Sequence, residues 1–238
     1  MSQDFVQLWV YLAATPLFGL TATLVAYCTA QAFYQRMGQA PWANPVLWSV
    51  LMLALLLGLS DTPYPTYFSG AQFVHFLLGP AVVAMAWPLW QRRAELRSRA
   101  GPILLAALVG GSVAAASAYG LGWALGLPAD ILASLAPKSV TAPVAMGIAE
   151  KLGGIPALAA VFAVLTGLVG AISGKYLFDA LGIESMPVRG FALGTCAHGI
   201  GAASAIQAHP DAGAYASLAL GVQVVLASLL MPLVFKFF

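Results

Sequence analysis

The sequence predicts an all-α polytopic transmembrane helical bundle, and three observations carry that prediction. Hydrophobic residues make up 61% of the 238 and charged residues 8%, with a mean hydropathy of +0.89. A soluble domain carries about a quarter charged residues, so this chain cannot furnish a water-facing surface. Residues 5–35, 37–60, 62–91, 100–129, 152–174, 190–210 and 212–235 each lack Asp, Glu, Lys and Arg, and each reaches the roughly 20 residues that a helix needs to cross about 30 Å of hydrocarbon. The connections between them are too short for a globular domain, so residues 1–238 are expected to form a single integral membrane domain.

Four uninterrupted spans are expected in the first half, at about 5–33, 44–60, 71–90 and 102–125. The acidic start, with Asp4 ahead of a long apolar run containing Pro16, is unlike a cleaved signal peptide, so the first run is expected to be a retained helix. Pro41 and Pro45 punctuate the first connection, Pro63 and Pro65 the second, and Gly101-Pro102 opens the fourth span where proline is tolerated. Trp42, Trp87 and Trp90 sit near span ends, as interfacial anchors do. Arg92, Arg93, Arg97 and Arg99 crowd one short loop, with Arg36 on the same side and Asp4, Asp61 and Asp130 on the other. That asymmetry predicts a cytoplasmic loop at 91–101 and an external N-terminus.

The second half differs. Two segments, about 131–150 and 190–208, are long enough to enter a membrane but are interrupted by polar residues, glycine and proline, and each is followed by an unbroken span, at about 155–177 and 212–236. Pro137 and Pro143 bracket Lys138-Ser139-Val140-Thr141, while Gly194, Gly199 and Gly201 surround His198. Interior proline removes a backbone donor and clashes with the preceding turn, so the first segment is expected to unwind. Unwound backbone survives at membrane depth only where protein buries it or a watery cavity meets it. A discontinuous crossing helix and a re-entrant hairpin both satisfy that condition. Two crossings make eight spans and two hairpins make six, the latter with two inverted units, an arrangement that places substrates at the repeat interface.

Lys138 is the first candidate for function, because a lysine at membrane depth costs about 2.5–3.5 kcal/mol on insertion scales. Ser134, Ser139 and Thr141 supply hydroxyls near it, and with helix N-terminal amides they suit an anion. Thr195 and His198 are the matching candidates in the second segment. The competing explanations are a snorkelling surface lysine and a histidine satisfied by packing. His75 is read as a packing residue, Lys175 and Asp179 as an i,i+4 ion pair, and the glycine clusters at 110–111 and 167–174 as close helix contacts. Cys28 and Cys196 lie in apolar runs without ligand spacing and are read as buried fillers. No nucleophile elbow, metal-binding histidine pair or phosphate loop is present, so a non-enzyme without cofactor or metal is expected, and the net charge of +2 does not suggest nucleic acid.

Three stretches resemble the signatures of the LrgB/CidB family: Gly79 to Leu89 (GPAVVAMAWPL), Leu135 to Met146 (LAPKSVTAPVAM) with Gly153-Gly154-Ile155-Pro156, and Gly194 to Gly201 (GTCAHGIG). The resemblance covers the chain from about residue 60 to its end. It implies a bacterial inner-membrane protein of one of two kinds. Some members are antiholin-like modulators of murein hydrolase activity and autolysis; others, with the plastid glycolate/glycerate translocator, move small monocarboxylates such as glycolate, glycerate, lactate or pyruvate. It also implies a small partner of the LrgA/CidA type, and a homodimer is the default assembly. Ala202 stands where the pattern suggests threonine and Gln207 where it suggests glutamate, so a proton-coupling carboxylate is absent from position 207. A carrier holding the anion with Lys138, Ser139, Thr141, Thr195 and His198 is the leading expectation.

Overall fold

The computed structural model describes residues 16–77, 80, 83–84, 86–91 and 93–235, and among them every regular element is helical. The chain packs as two compact units that divide after Ala84.

The first unit holds α1 (Pro16–Arg36), α2 (Pro45–Leu59) and α3 (Tyr64–Phe76). Asn44 starts α2: its side-chain oxygen accepts from the amides of Val46 at 2.9 Å and Leu47 at 3.2 Å, with Pro45 in the first turn. Gly19 lets α1 lie against α3, since a Cβ there would collide with the backbone of Tyr67 and Ala71. Thr23 bridges the same contact, its hydroxyl 2.7 Å from both the Gly19 carbonyl and the Tyr67 hydroxyl. The span expected at 44–60 is α2, whose 15 residues reach about 22 Å at 1.5 Å per residue. Of the span expected at 71–90, residues up to Phe76 belong to α3 and residues 80, 83–84 and 86–90 are also helical, while residues 79, 81, 82 and 85 of the first family-like signature lie outside the described residues.

The second unit follows as α4 (Ala86–Gln91), α5 (Arg93–Ser98), α6 (Ala100–Ala124), α7 (Ala129–Leu135), α8 (Ala142–Lys151), α9 (Pro156–Ala180), α10 (Met186–Ala208) and α11 (Pro210–Val234). Among the described residues, four helices are long and apolar enough to cross a membrane: Leu17–Arg36, Ala100–Ala124, Pro156–Ala180 and Pro210–Val234. The interior is made of small residues, with Ala107, Ala145, Ala163, Ala197, Ala202 and Ala216 all fully buried, whereas Leu125 (78% exposed), Trp123 (71%) and Leu229 (62%) face outward. Water would penalise that distribution. Lipid permits it, because helices there associate through close approach of small residues rather than by hiding large apolar ones. The chain is a membrane protein.

At His198 the backbone of α10 leaves helical geometry, with φ 41° and ψ −131°. A Cβ placed on Gly201 would stand 2.6 Å from the Leu193 carbonyl and from the Ala197 Cβ. Positions 193 and 201 would be about 12 Å apart along a straight helix, so the chain turns back at His198. The neighbours agree. Gly190 and Gly194 lie against the backbones of Ala212 and Ala216, while Gly213 meets Ile206. The arriving arm of α10 therefore runs parallel to α11, the returning arm runs opposite to both, and small residues spaced four apart let the backbones touch.

Helix ends on either side of this hairpin are held locally. Gly182, at φ 64°, ends α9, with the Ile183 amide donating to the Phe178 carbonyl at 2.9 Å. Gly153, at φ 77°, ends α8 in the same way, with the Gly154 amide on the Ala149 carbonyl at 2.8 Å. Arg189 closes the base of α10, donating to Asp179 at 2.6 Å and to the Ile183 carbonyl. That is a correction: Asp179 pairs with Arg189, ten residues on, rather than with Lys175 one turn earlier.

Candidate functional site

The site is built from two chain reversals that approach α9 at mid-length. The first lies between α7 and α8. Pro137 cannot donate to a continuing helix, and residues 136–141 instead make two tight turns, Lys138 N to Leu135 O and Val140 N to Pro137 O, each at 3.2 Å. The Pro137 ring is fully buried. Pro143 sits in the first turn of α8, where a missing amide costs nothing. Thr141 precedes that turn in extended conformation and makes no side-chain cap, so the positive end of α8 is uncapped by it. Ala145, Ile148 and Ala149 pack α8 on Ala159 and Ala163 of α9 and on Ala227 of α11.

The second reversal is His198, which is 4% exposed. Its Nε2 lies 2.7 Å from the carbonyl oxygen of Ala163. Gly167, one turn further along α9, leaves room for the ring: a Cβ there would stand 2.9 Å from the imidazole Cε1 and Nε2. Ala163 and Gly167 fall seven and eleven residues into the 25 of α9, a helix about 37 Å long. Beside His198, a Cβ on Gly199 would meet nothing within 4 Å, so the start of the returning arm has open space next to it.

Lys138 is half-buried, and its ammonium donates to the Ser139 hydroxyl at 3.3 Å, a long contact. Val140, in the same turn, belongs to one buried cluster with Ala163, whose carbonyl meets His198, and this brings the two reversals to the same part of α9. Among the described residues no carboxylate pairs with Lys138. Ser139 is buried beside it. The arrangement offers an ammonium and an uncapped helix N-terminus, both suited to a small anion, with an imidazole beside them.

Two of the expected residues point elsewhere. Ser134 is fully buried, donates to the Asp130 carbonyl at 2.6 Å and accepts from the Ile155 amide at 2.7 Å, so its hydroxyl ties the start of α9 to α7. Thr195 donates to the Phe191 carbonyl at 2.8 Å and sets its methyl against α6, where a Cβ on Gly110 would be 3.1 Å away. Of the glycines, Gly194 serves the contact with α11 and Gly201 the closure of the hairpin. The cysteines need correction: both are exposed rather than buried. Gln207 is exposed and Ala202 is packed with Ala205, Ala212 and Ala216; the side chain of His75 lies outside the described residues. Sequence reasoning missed the carbonyl of Ala163, which no residue type announces, and read Gly167 only as a packing glycine.

A groove lies beside the first reversal, which it meets at Ala136. It encloses about 400 Å³ between α6 and α11 and is lined mainly by apolar atoms, among them those of Tyr119, Ala136 and Met231. Gln223 enters one side, buried, with its amide donating to the Ala107 carbonyl across from Gly111.

A family model described as LrgB-like matches residues 23–237. An uncharacterized protein of Haemophilus influenzae is 34% identical over 81% of this chain and 84% of its own length. YxaC of Bacillus subtilis, also uncharacterized, is 34% identical over 89% and 92%. The protein named holin-like CidB in Staphylococcus aureus is 28% identical over 91% and 94%. No solved structure matches.

Proposed function

The chain belongs to the LrgB-like family, and from that premise we propose that it carries small monocarboxylates of the glycolate, glycerate, lactate and pyruvate class across the bacterial inner membrane. The observation that carries the reading is Lys138, an ammonium without a carboxylate partner among the described residues, set where an uncapped helix N-terminus and His198 approach the middle of α9. A carboxylate would neutralise the lysine and accept from the amides of Ala142 and Val144, with Ser139 and Thr141 close by. The protein performs no covalent chemistry in this reading and needs no cofactor. Its assembly is a homodimer, with a small LrgA/CidA-type membrane protein as a partner.

The holin-like name of the staphylococcal relative favours a second reading, in which the chain modulates murein hydrolase activity and autolysis by permeabilising the membrane. Uptake of labelled glycolate and labelled sucrose into proteoliposomes of the purified protein separates the two. Saturable entry of glycolate alone is expected. Entry of both solutes, or of neither, would overturn the carrier.

A further inference from the structure

We propose that His198 reads a hydroxyl on the carried acid through Nδ1 and so selects 2-hydroxy acids over their 2-keto counterparts; this rests on the carboxylate-carrier reading above. The ring is oriented by α9. Its Nε2 lies 2.7 Å from the Ala163 carbonyl, and a carbonyl oxygen only accepts, so Nε2 is the nitrogen that bears the proton. In the neutral imidazole Nδ1 is then a lone-pair acceptor, and it has no hydrogen-bond partner among the described residues. Gly167 holds this orientation. The ring occupies the volume that a side chain at 167 would take, with Cε1 and Nε2 both 2.9 Å from the position of a Cβ.

The backbone points the same way. His198 turns the chain at φ 41°, a conformation that glycine adopts freely and histidine does not. What the position gains over glycine is the imidazole. Open space beside Gly199 lies at the next residue, and the turn that carries Lys138 packs through Val140 into the buried cluster of Ala163, the residue whose carbonyl holds the ring. An acid whose carboxylate sits on Lys138 carries its 2-substituent one carbon away. A 2-hydroxyl donates to Nδ1, whereas a 2-keto oxygen of nearly the same size sets lone pair against lone pair, so discrimination comes from hydrogen bonding rather than volume. Gly167 is a positioning residue in this scheme and touches no substrate.

The test is competition against labelled glycolate uptake in proteoliposomes at about pH 8, where an unperturbed imidazole is neutral. The competitors are L-lactate, D-lactate and pyruvate. The better lactate isomer is expected to inhibit at least about tenfold more tightly than pyruvate. His198→Phe should raise the glycolate KM and bring the ratio near one. His198→Asn, whose amide oxygen accepts, should keep part of it. Gly167→Ala should lower the ratio by displacing the ring, an effect that simple loss of stability would not produce. Equal competition by pyruvate in the wild type, or an unchanged ratio in His198→Phe, would overturn the inference while leaving the carrier intact. Absence of saturable uptake of any acid would overturn both, and the wild-type ratio decides the matter even where a variant fails to insert.

Discussion

Replacing Lys138 with methionine separates binding from stability, because the structure assigns the ammonium almost no structural duty. Its hydrogen bond to Ser139 is 3.3 Å long, at the weak end of the range, and among the described residues it has no carboxylate partner. Losing that bond costs at most about 1 kcal/mol. Removing a charge from membrane depth returns about 2.5–3.5 kcal/mol on insertion scales, so Lys138→Met is expected to be as stable as the wild type or more so. The carboxylate, by contrast, loses a charge-assisted hydrogen bond worth about 1.5–3 kcal/mol, which is about tenfold to about 150-fold in KM at 1.36 kcal/mol per decade. Concentration-dependent glycolate uptake in proteoliposomes gives the KM, and a thermal melt of the same preparation in detergent gives the stability. An unchanged KM would refute the anion site. Lost uptake accompanied by a lower melting temperature would refute the claim that Lys138 is functional rather than structural.

Ser134→Ala should do the opposite, lowering stability by about 1–3 kcal/mol by leaving the Ile155 amide without its acceptor, while the glycolate KM stays put; denaturant titration and uptake read the two separately. Gly194→Leu would drive a side chain into the backbone of Ala216, an overpacking that costs at least about 1–3 kcal/mol; loss of the folded monodisperse protein on size exclusion is expected, and normal uptake would contradict the parallel packing of α10 on α11. Asp179→Asn should matter little, because Asp179 is half exposed, Arg189 keeps its bond to Ile183, and such pairs contribute about 0–1 kcal/mol; a large salt-independent drop in melting temperature would show that the pair locks the base of the hairpin.

Much of the helical architecture was legible in the residue pattern, since apolar runs free of charge leave a chain few alternatives in lipid. The long helices at Ala100–Ala124, Pro156–Ala180 and Pro210–Val234 lie close to the spans read from the sequence. The span read at 44–60 is the helix Pro45–Leu59, which Asn44 caps at its start. Gly167 looked like a packing glycine and Gly194 like part of a helix break; Gly167 makes room for the His198 ring and Gly194 lies against the backbone of Ala216, and neither partner was readable, because a small side chain carries no address.

The sequence by itself determined that the chain lives in a membrane, belongs with LrgB-like proteins and holds a lysine between two prolines, because composition, motif and proline chemistry are local properties. Tertiary structure alone decided that α10 turns back at His198, that Asp179 finds Arg189 instead of Lys175, and that Ser134 spends its hydroxyl on Ile155. It also decided that Ala163 presents a carbonyl to the imidazole. Each of these joins groups far apart in the chain or depends on a backbone atom that every residue possesses, and only packing selects which of them meet.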